Sequence, residues 1–234
     1  MYKLIILFVL SLIFNSCNLK NFNDSYNTEL SPKSLVAVKQ LASYVPRDDY
    51  DKLPIPNFKV NKQVNKNIDY FKNKDKQFIN EALGRRNLFL PRIYEIFDYY
   101  GVPRVFAEIA LIESRYDRLA VSPSKAVGLW QFMKPTAREL GLKVNALEDE
   151  RKDLVLSTAA AAKMLRKLFL EFQNWELVLA SYNAGQTRVR KSIRKSGTRD
   201  FYKLAQKGYF RKETNNYVPK FVAALIILRE NGDL

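Results

Sequence analysis

From Val64 to Leu228 apolar residues recur at three- and four-residue steps almost throughout, with one gap between Phe71 and Phe78, and no stretch shows convincing alternation with a period of two. Such spacing collects apolar side chains on one face of an α-helix, so the sequence predicts an all-α fold, a compact multi-helix globule. The longest helix is expected from Asp153 to Phe172, with Leu154, Thr158, Ala161, Leu165, Leu168 and Phe172 on one stripe. Four consecutive alanines, Ala159 to Ala162, predict a close approach to a neighbouring element. Earlier, the stripe Val64, Ile68, Phe71, Phe78, Ile79 and Leu83 is expected to stop at Gly84, and a second helix to run from Leu90 to Tyr100 and stop at Gly101. Pro103 suits the first turn of a third, through Phe106 and Ile112 to Glu113. Further helices are expected over Trp175–Ala184, Thr187–Arg194, Phe201–Gln206 and Tyr217–Leu228.

Composition limits the chemistry these helices can carry. Among 234 residues there is no histidine and one cysteine. Nucleophile–imidazole pairs and histidine zinc motifs are therefore excluded, and catalysis must rest on carboxylates, hydroxyls, lysine or backbone. A single cysteine also excludes an intrachain disulfide and a CxxC metal site. The formal net charge of +15 predicts an anionic partner: nucleic acid, an anionic membrane surface or an acidic wall polymer.

The N-terminus narrows that choice. Met1-Tyr2-Lys3 is followed by an apolar run from Leu4 to Phe14, interrupted only by Ser11. Its length suits a signal peptide and is too short for an ordinary spanning helix. Phe14-Asn15-Ser16-Cys17 resembles a bacterial lipoprotein box, which implies lipidation of Cys17 and attachment to a bacterial membrane in the cell envelope, facing the periplasm. The expected organisation is a signal peptide over 1–16, a tether over 17–59 rich in Asn, Ser, Lys and Pro, and a catalytic domain over 60–234.

Two stretches between the helices do not follow packing logic. Glu113 follows Ile112 at the end of an apolar helix, where burial and the helix C-terminus would both raise its pKa and keep it protonated as a general acid. The alternative is that it turns to solvent or pairs with Arg115. Asp117, four residues on, is expected to serve the helix end or loop rather than catalysis. The second stretch, Ser181-Tyr182-Asn183-Ala184-Gly185, closes an apolar helix with polar groups. It reads either as an ordinary glycine stop or as hydroxyl and amide groups offered to a polar ligand.

Glu113-Ser114, then Gly128-Leu129-Trp130-Gln131, then Tyr182-Asn183-Ala184-Gly185, then Glu213-Thr214 and Tyr217-Val218-Pro219-Lys220 resemble, in order and spacing, the four motifs of the soluble-lytic-transglycosylase domain. That is the lysozyme-like glycoside hydrolase family 23, related to goose-type lysozyme. The resemblance covers roughly residues 60 to 231, and the closing motif together with the stretch from Asp69 to Gly101 narrows it to one membrane-bound branch. It implies cleavage of the β-1,4 bond between N-acetylmuramic acid and N-acetylglucosamine in peptidoglycan without water, with Glu113 as the single acid and base. It implies no cofactor and no metal. By the same resemblance Ser122 stands beside the acid, Tyr182 hydrogen-bonds it and Tyr217 faces the site. Ser114 would orient the Glu113 segment, Gln131 and Asn183 would meet sugar acetamides and hydroxyls, and Trp130 would offer a face to a sugar ring. Phe132 offers a sugar face or packs in the core. Gly128 would let the backbone approach the glycan, or simply serve a turn.

Competing functions are a muramidase of the same fold that uses water, a non-catalytic peptidoglycan-binding lipoprotein, and a basic nucleic-acid binder. The last lacks a recognisable module and conflicts with export, so nucleic acid is not the expected partner.

Overall fold

The computed structural model describes residue 36, residues 52–75 and residues 77–234. The expected signal peptide, Cys17 and most of the expected tether lie outside the described residues. Those described from residue 52 onward form nine α-helices: α1 (Lys62–Asn73), α2 (Gln77–Tyr99), α3 (Ile109–Ser114), α4 (Lys134–Glu139), α5 (Leu154–Phe172), α6 (Trp175–Ala184), α7 (Gln186–Ser196), α8 (Phe201–Gln206) and α9 (Lys212–Glu230). Between them, antiparallel contacts are limited to isolated bridges such as Val121 with Val127. The all-α expectation holds.

Helix starts follow local chemistry. Asn61, Asp153, Asn174 and Asp200 each accept a hydrogen bond from a first-turn amide of the helix they precede, satisfying donors that have no partner within the helix. Helix α5 packs on α2 and α6, and α9 packs on α1 and α6. All four alanines of α5 are completely buried, as close helix approach requires. An aromatic cluster joins the layers: the Phe106 ring lies 4.0 Å from Trp175 and 5.7 Å from Phe221, and Trp175 lies 4.3 Å from Phe169. Among the described residues no helix is long and apolar enough to cross a membrane.

Three boundaries differ from expectation. Helix α2 continues through Gly84 and contains Pro91, where two helices were expected. Phe78, Ile79, Ala82, Phe89 and Leu90 are buried on both sides of Gly84, so tertiary packing outweighs the roughly 1 kcal/mol that glycine costs a helix. The expected third helix instead divides into a 3-10 turn, Arg104–Glu108, followed by the short α3. Residues 52–59, assigned by composition to the tether, lie on the helical core. Leu53 N donates to Gly101 O (2.9 Å), Trp175 Nε1 donates to Pro54 O (2.8 Å), and Phe58 meets Phe221 edge-on at 5.8 Å.

Candidate active site

Glu113 is the penultimate residue of α3, and the chain leaves it through two consecutive left-handed residues, Arg115 (φ 54°) and Tyr116 (φ 58°). Such a turn is costly for residues with side chains and persists only when its surroundings hold it. Here the Arg85 guanidinium on α2 donates twice to Arg115 O, at 3.1 and 3.0 Å. The Tyr116 side chain is fully buried, its hydroxyl 3.0 Å from both Ala107 O and Glu108 Oε2. Glu108 in turn receives the buried Arg86 guanidinium, Nη2 to Oε1 at 2.7 Å. This buried network is absent from the sequence reading, because nothing in the spacing of Arg86, Glu108 and Tyr116 shows that three separate segments converge. Arg115 pairs with Glu81 at 2.9 Å and Asp75 at 3.5 Å, leaving the carboxyl of Glu113 to other partners.

Those partners come from α9. The Tyr217 hydroxyl donates to Glu113 Oε1 at 2.6 Å, and Lys220, one turn further on, donates from Nζ to Ile112 O at 3.2 Å. The Lys220 ammonium also lies 5.5 Å from the centre of the Phe78 ring. Burial pushes the Glu113 carboxyl up to about 7, opposed by the Tyr217 hydrogen bond and the Lys220 charge and assisted by Glu213. Burial lowers the pKa of Lys220, and the nearby Glu113 partly offsets that effect. Burial raises both Tyr217 and Tyr182 well above the ordinary phenol value, and the charge of Glu113 adds to the rise, so both hydroxyls stay protonated.

The hydroxyl reaching Glu113 is therefore that of Tyr217, not Tyr182 as expected. The Tyr182 hydroxyl donates to Trp130 O at 2.7 Å and fixes the loop beside the acid. Trp130 is fully buried, stacked 5.6 Å from Phe97 with its indole N–H given to Thr158, so its ring has no face for a sugar. Phe132 is also buried and packs in the core. Gly128 serves a protein contact rather than a glycan: at φ 85° a Cβ there would stand 2.0 Å from Arg151 O. Gln131 folds back on its own loop, donating to Gly128 O (2.8 Å) and Ala120 O (3.3 Å). The Ser122 hydroxyl is used inside its turn, accepting from Ala126 N and lying 3.0 Å from Ser124 Oγ. Asp117 Oδ1 accepts from Leu119 N within the loop (2.8 Å).

The remaining expected residues connect the motifs. Ser114 Oγ is 3.1 Å from Ala110 O and 2.9 Å from Leu129 O, tying the end of α3 to the 128–131 loop. Asn183 donates to Glu213 Oε1 (3.3 Å) and accepts from Thr214 Oγ1 (2.8 Å), joining the end of α6 to the start of α9. Lys220 was missed as a site residue although its signal was present: it follows Tyr217 by three, which places both on one face of a helix.

One desolvated carboxyl in an all-α fold, with a tyrosine donor on one oxygen, a lysine charge nearby and no imidazole in the chain, is a candidate acid site. Residues 95–205 match the family described as Transglycosylase SLT domain. Membrane-bound lytic murein transglycosylase D of Escherichia coli K12 is 36% identical over 136 residues, 56% of this chain and 29% of that protein. Peptidoglycan transglycosylase gp16 of Escherichia phage T7 is 35% identical over 104 residues, 43% of this chain and 8% of that protein. A solved structure of the lytic transglycosylase Slt of Pseudomonas aeruginosa is 25% identical, with a TM-score of 0.49 over 61% of this chain and 24% of that one. The chain thus spans less than a third of the length of the Escherichia coli relative.

Proposed function

We propose that the protein is a peptidoglycan lytic transglycosylase of the cell envelope in which Glu113 is the single acid and base. The observation that carries this is the half-buried, desolvated carboxyl at the end of α3, with one oxygen engaged by Tyr217 and a pKa raised to about 7. A group that titrates there can both give and take a proton near neutrality. With Oε1 held by Tyr217, Oε2 is the oxygen that carries the proton to the glycosidic oxygen. The bond from that oxygen to C1 of N-acetylmuramic acid breaks as the proton arrives, and the carbonyl of the substrate's 2-acetamido group bonds to C1. The Glu113 carboxylate then takes the proton of the C6 hydroxyl while O6 attacks C1 and displaces the acetamido oxygen. The product is a 1,6-anhydromuramoyl end, no water is consumed and the acid is regenerated. Because the substrate supplies the second nucleophile, no partner carboxylate of the kind used by most glycosidases is required.

A lipid on Cys17 would hold the enzyme at a bacterial membrane, with the basic excess favouring anionic wall and membrane. Mass spectrometry of sacculus digests tests the chemistry. Wild-type protein should release anhydromuramoyl products and Glu113→Gln almost none. Products ending in reducing muramic acid, one water heavier, would make the protein a muramidase instead. Undiminished digestion by Glu113→Gln would remove the catalytic role altogether.

A further inference from the structure

Between the third and fourth motifs the chain makes an excursion through α7 and α8, and this excursion is strongly basic. From Gln186 to Lys212 it contains ten Lys and Arg and one acidic residue, Asp200. All ten basic side chains are exposed, and Asp200 is occupied as the N-cap of α8. Exposed lysines on a helix are ordinarily balanced by carboxylates three or four residues away. Neither α7 nor α8 contains an acidic residue, so no carboxylate on either helix balances these cations. Among the described residues Arg190 is the one member of the set paired with a carboxylate, that of Glu171.

Helical geometry divides the α7 cations. Val189 and Ser192 are buried. Arg190 and Arg194 lie on the flank that meets Glu171, whereas Arg188, Lys191 and Lys195, at steps of three and four, form a separate stripe. The base of the excursion is closed at the site: Asn183, three residues before α7 begins, bonds to both Glu213 and Thr214, the residues that follow Lys212. Glu213 is near enough to Glu113 to raise its pKa. The cationic stripe therefore belongs to an element rooted beside the catalytic acid.

We propose that Arg188, Lys191 and Lys195 bind the carboxylates of the peptide stems carried by the glycan strand being cleaved. This rests on the function proposed above and deepens it: the glycan enters at Glu113, and charge on α7 selects strands whose muramic acids bear peptides. A stem with free carboxylates matches an uncompensated cationic stripe, and the attraction should weaken as salt rises.

The test compares kcat/KM on peptide-bearing glycan with that on the same strands stripped of stems by an amidase. The ratio should fall about fivefold in the Arg188→Gln/Lys191→Gln/Lys195→Gln triple variant, the order expected for losing a few solvent-screened ion pairs. It should be kept in Arg188→Lys/Lys191→Arg/Lys195→Arg. An unchanged ratio, or an equal fall on both substrates, overturns the proposal. A second arm measures binding of a fluorescent muramoyl-pentapeptide to Glu113→Gln protein, with and without the neutralising triple. It needs no bond cleavage, so it reads the stripe even if the lyase chemistry is wrong: weaker binding in the triple supports the proposal and equal binding refutes it. A third uses phosphatidylglycerol vesicles. Loss of vesicle binding in the triple with the peptide ratio intact would assign the stripe to lipid and overturn the stem assignment.

Discussion

Tyr217 on α9 gives its hydroxyl hydrogen to Glu113 Oε1 on α3 across 2.6 Å, although 104 residues separate them. This bond stabilises the ionised carboxyl and opposes the effect of burial. It also leaves Oε2 as the oxygen without the Tyr217 bond. Tyr217→Phe removes the donor with little change in shape, so the pKa of Glu113 should rise above about 7. Activity requiring a protonated Glu113 is lost as pH rises through that pKa, so the alkaline limb of the kcat profile should move to higher pH. The loss of orientation should lower kcat about 10- to 100-fold, the usual effect of removing a group that positions a functional ligand. A profile that keeps its alkaline limb would show that the hydroxyl does not act on the acid.

Lys220 and Glu213 act on the same carboxyl with opposite signs, the first favouring its ionised form and the second opposing it. Lys220→Met should move the alkaline limb up, and Glu213→Gln should move it down. Lys220→Arg, which retains the charge, should leave the limb nearly in place while disturbing the contact with Ile112 O. Shifts in the same direction for Lys220→Met and Glu213→Gln would mean that altered packing, rather than charge, is being measured.

How much of this arrangement was legible in the sequence depends on the range of the interaction. The helical periods and the half-buried position of Glu113 at a helix end are local, since both follow from apolar spacing along one segment. Which tyrosine reaches the acid is not local: Tyr182 and Tyr217 sit at similar motif ends, and only the packing of α9 on α3 decides that Tyr217 bonds Glu113 while Tyr182 bonds Trp130 O. The expected sugar contacts of Trp130 and Gly128 fail for a related reason, while the turn reading of Gly128 stands. A tryptophan and a glycine in a polar loop suit a sugar, but the partners that occupy them, Phe97, Thr158 and Arg151, come from distant segments. The break between α1 and α2 carries no glycine or proline, so the sequence offered Gly84 as a stop and packing ignored it.

The carboxyl proposed as the catalytic acid should also cost stability. Its folded pKa is raised from 4.5 to about 7, so between those values the folded chain holds more protons at Glu113 than the unfolded chain does. Stability therefore declines as pH rises through this window, and the full deficit, up to about 3 kcal/mol, is present above it. Glu113→Gln cannot ionise and still offers an oxygen to the Tyr217 hydroxyl. Urea unfolding should show the variant gaining on wild type from about pH 4 to about pH 8 by a value approaching that deficit. A difference independent of pH would contradict a carboxyl held protonated by burial.

Gly128 separates stability from chemistry in the opposite way. Its φ of 85° is unfavourable for any residue with a Cβ, and that atom would meet Arg151 O at 2.0 Å and Arg151 C at 2.9 Å. These are backbone atoms of a segment that cannot swing aside, because the Arg151 side chain is bound to Asp149 at 2.7 Å and to Phe132 O at 3.0 Å. Gly128→Ala should therefore destabilise the fold by about 3 kcal/mol or more, lowering Tm by roughly 10 °C for a chain of this size. The Tyr217 and Lys220 contacts to the α3 segment do not pass through the 128–131 loop. At a temperature where the variant is folded, the alkaline limb set by Glu113 should stay near its wild-type position even if kcat falls. Thermal unfolding and the pH profile measured on the same preparation check both halves. An unchanged Tm would show that the close approach to Arg151 does not govern the loop, and a displaced limb would show that the loop tunes the acid.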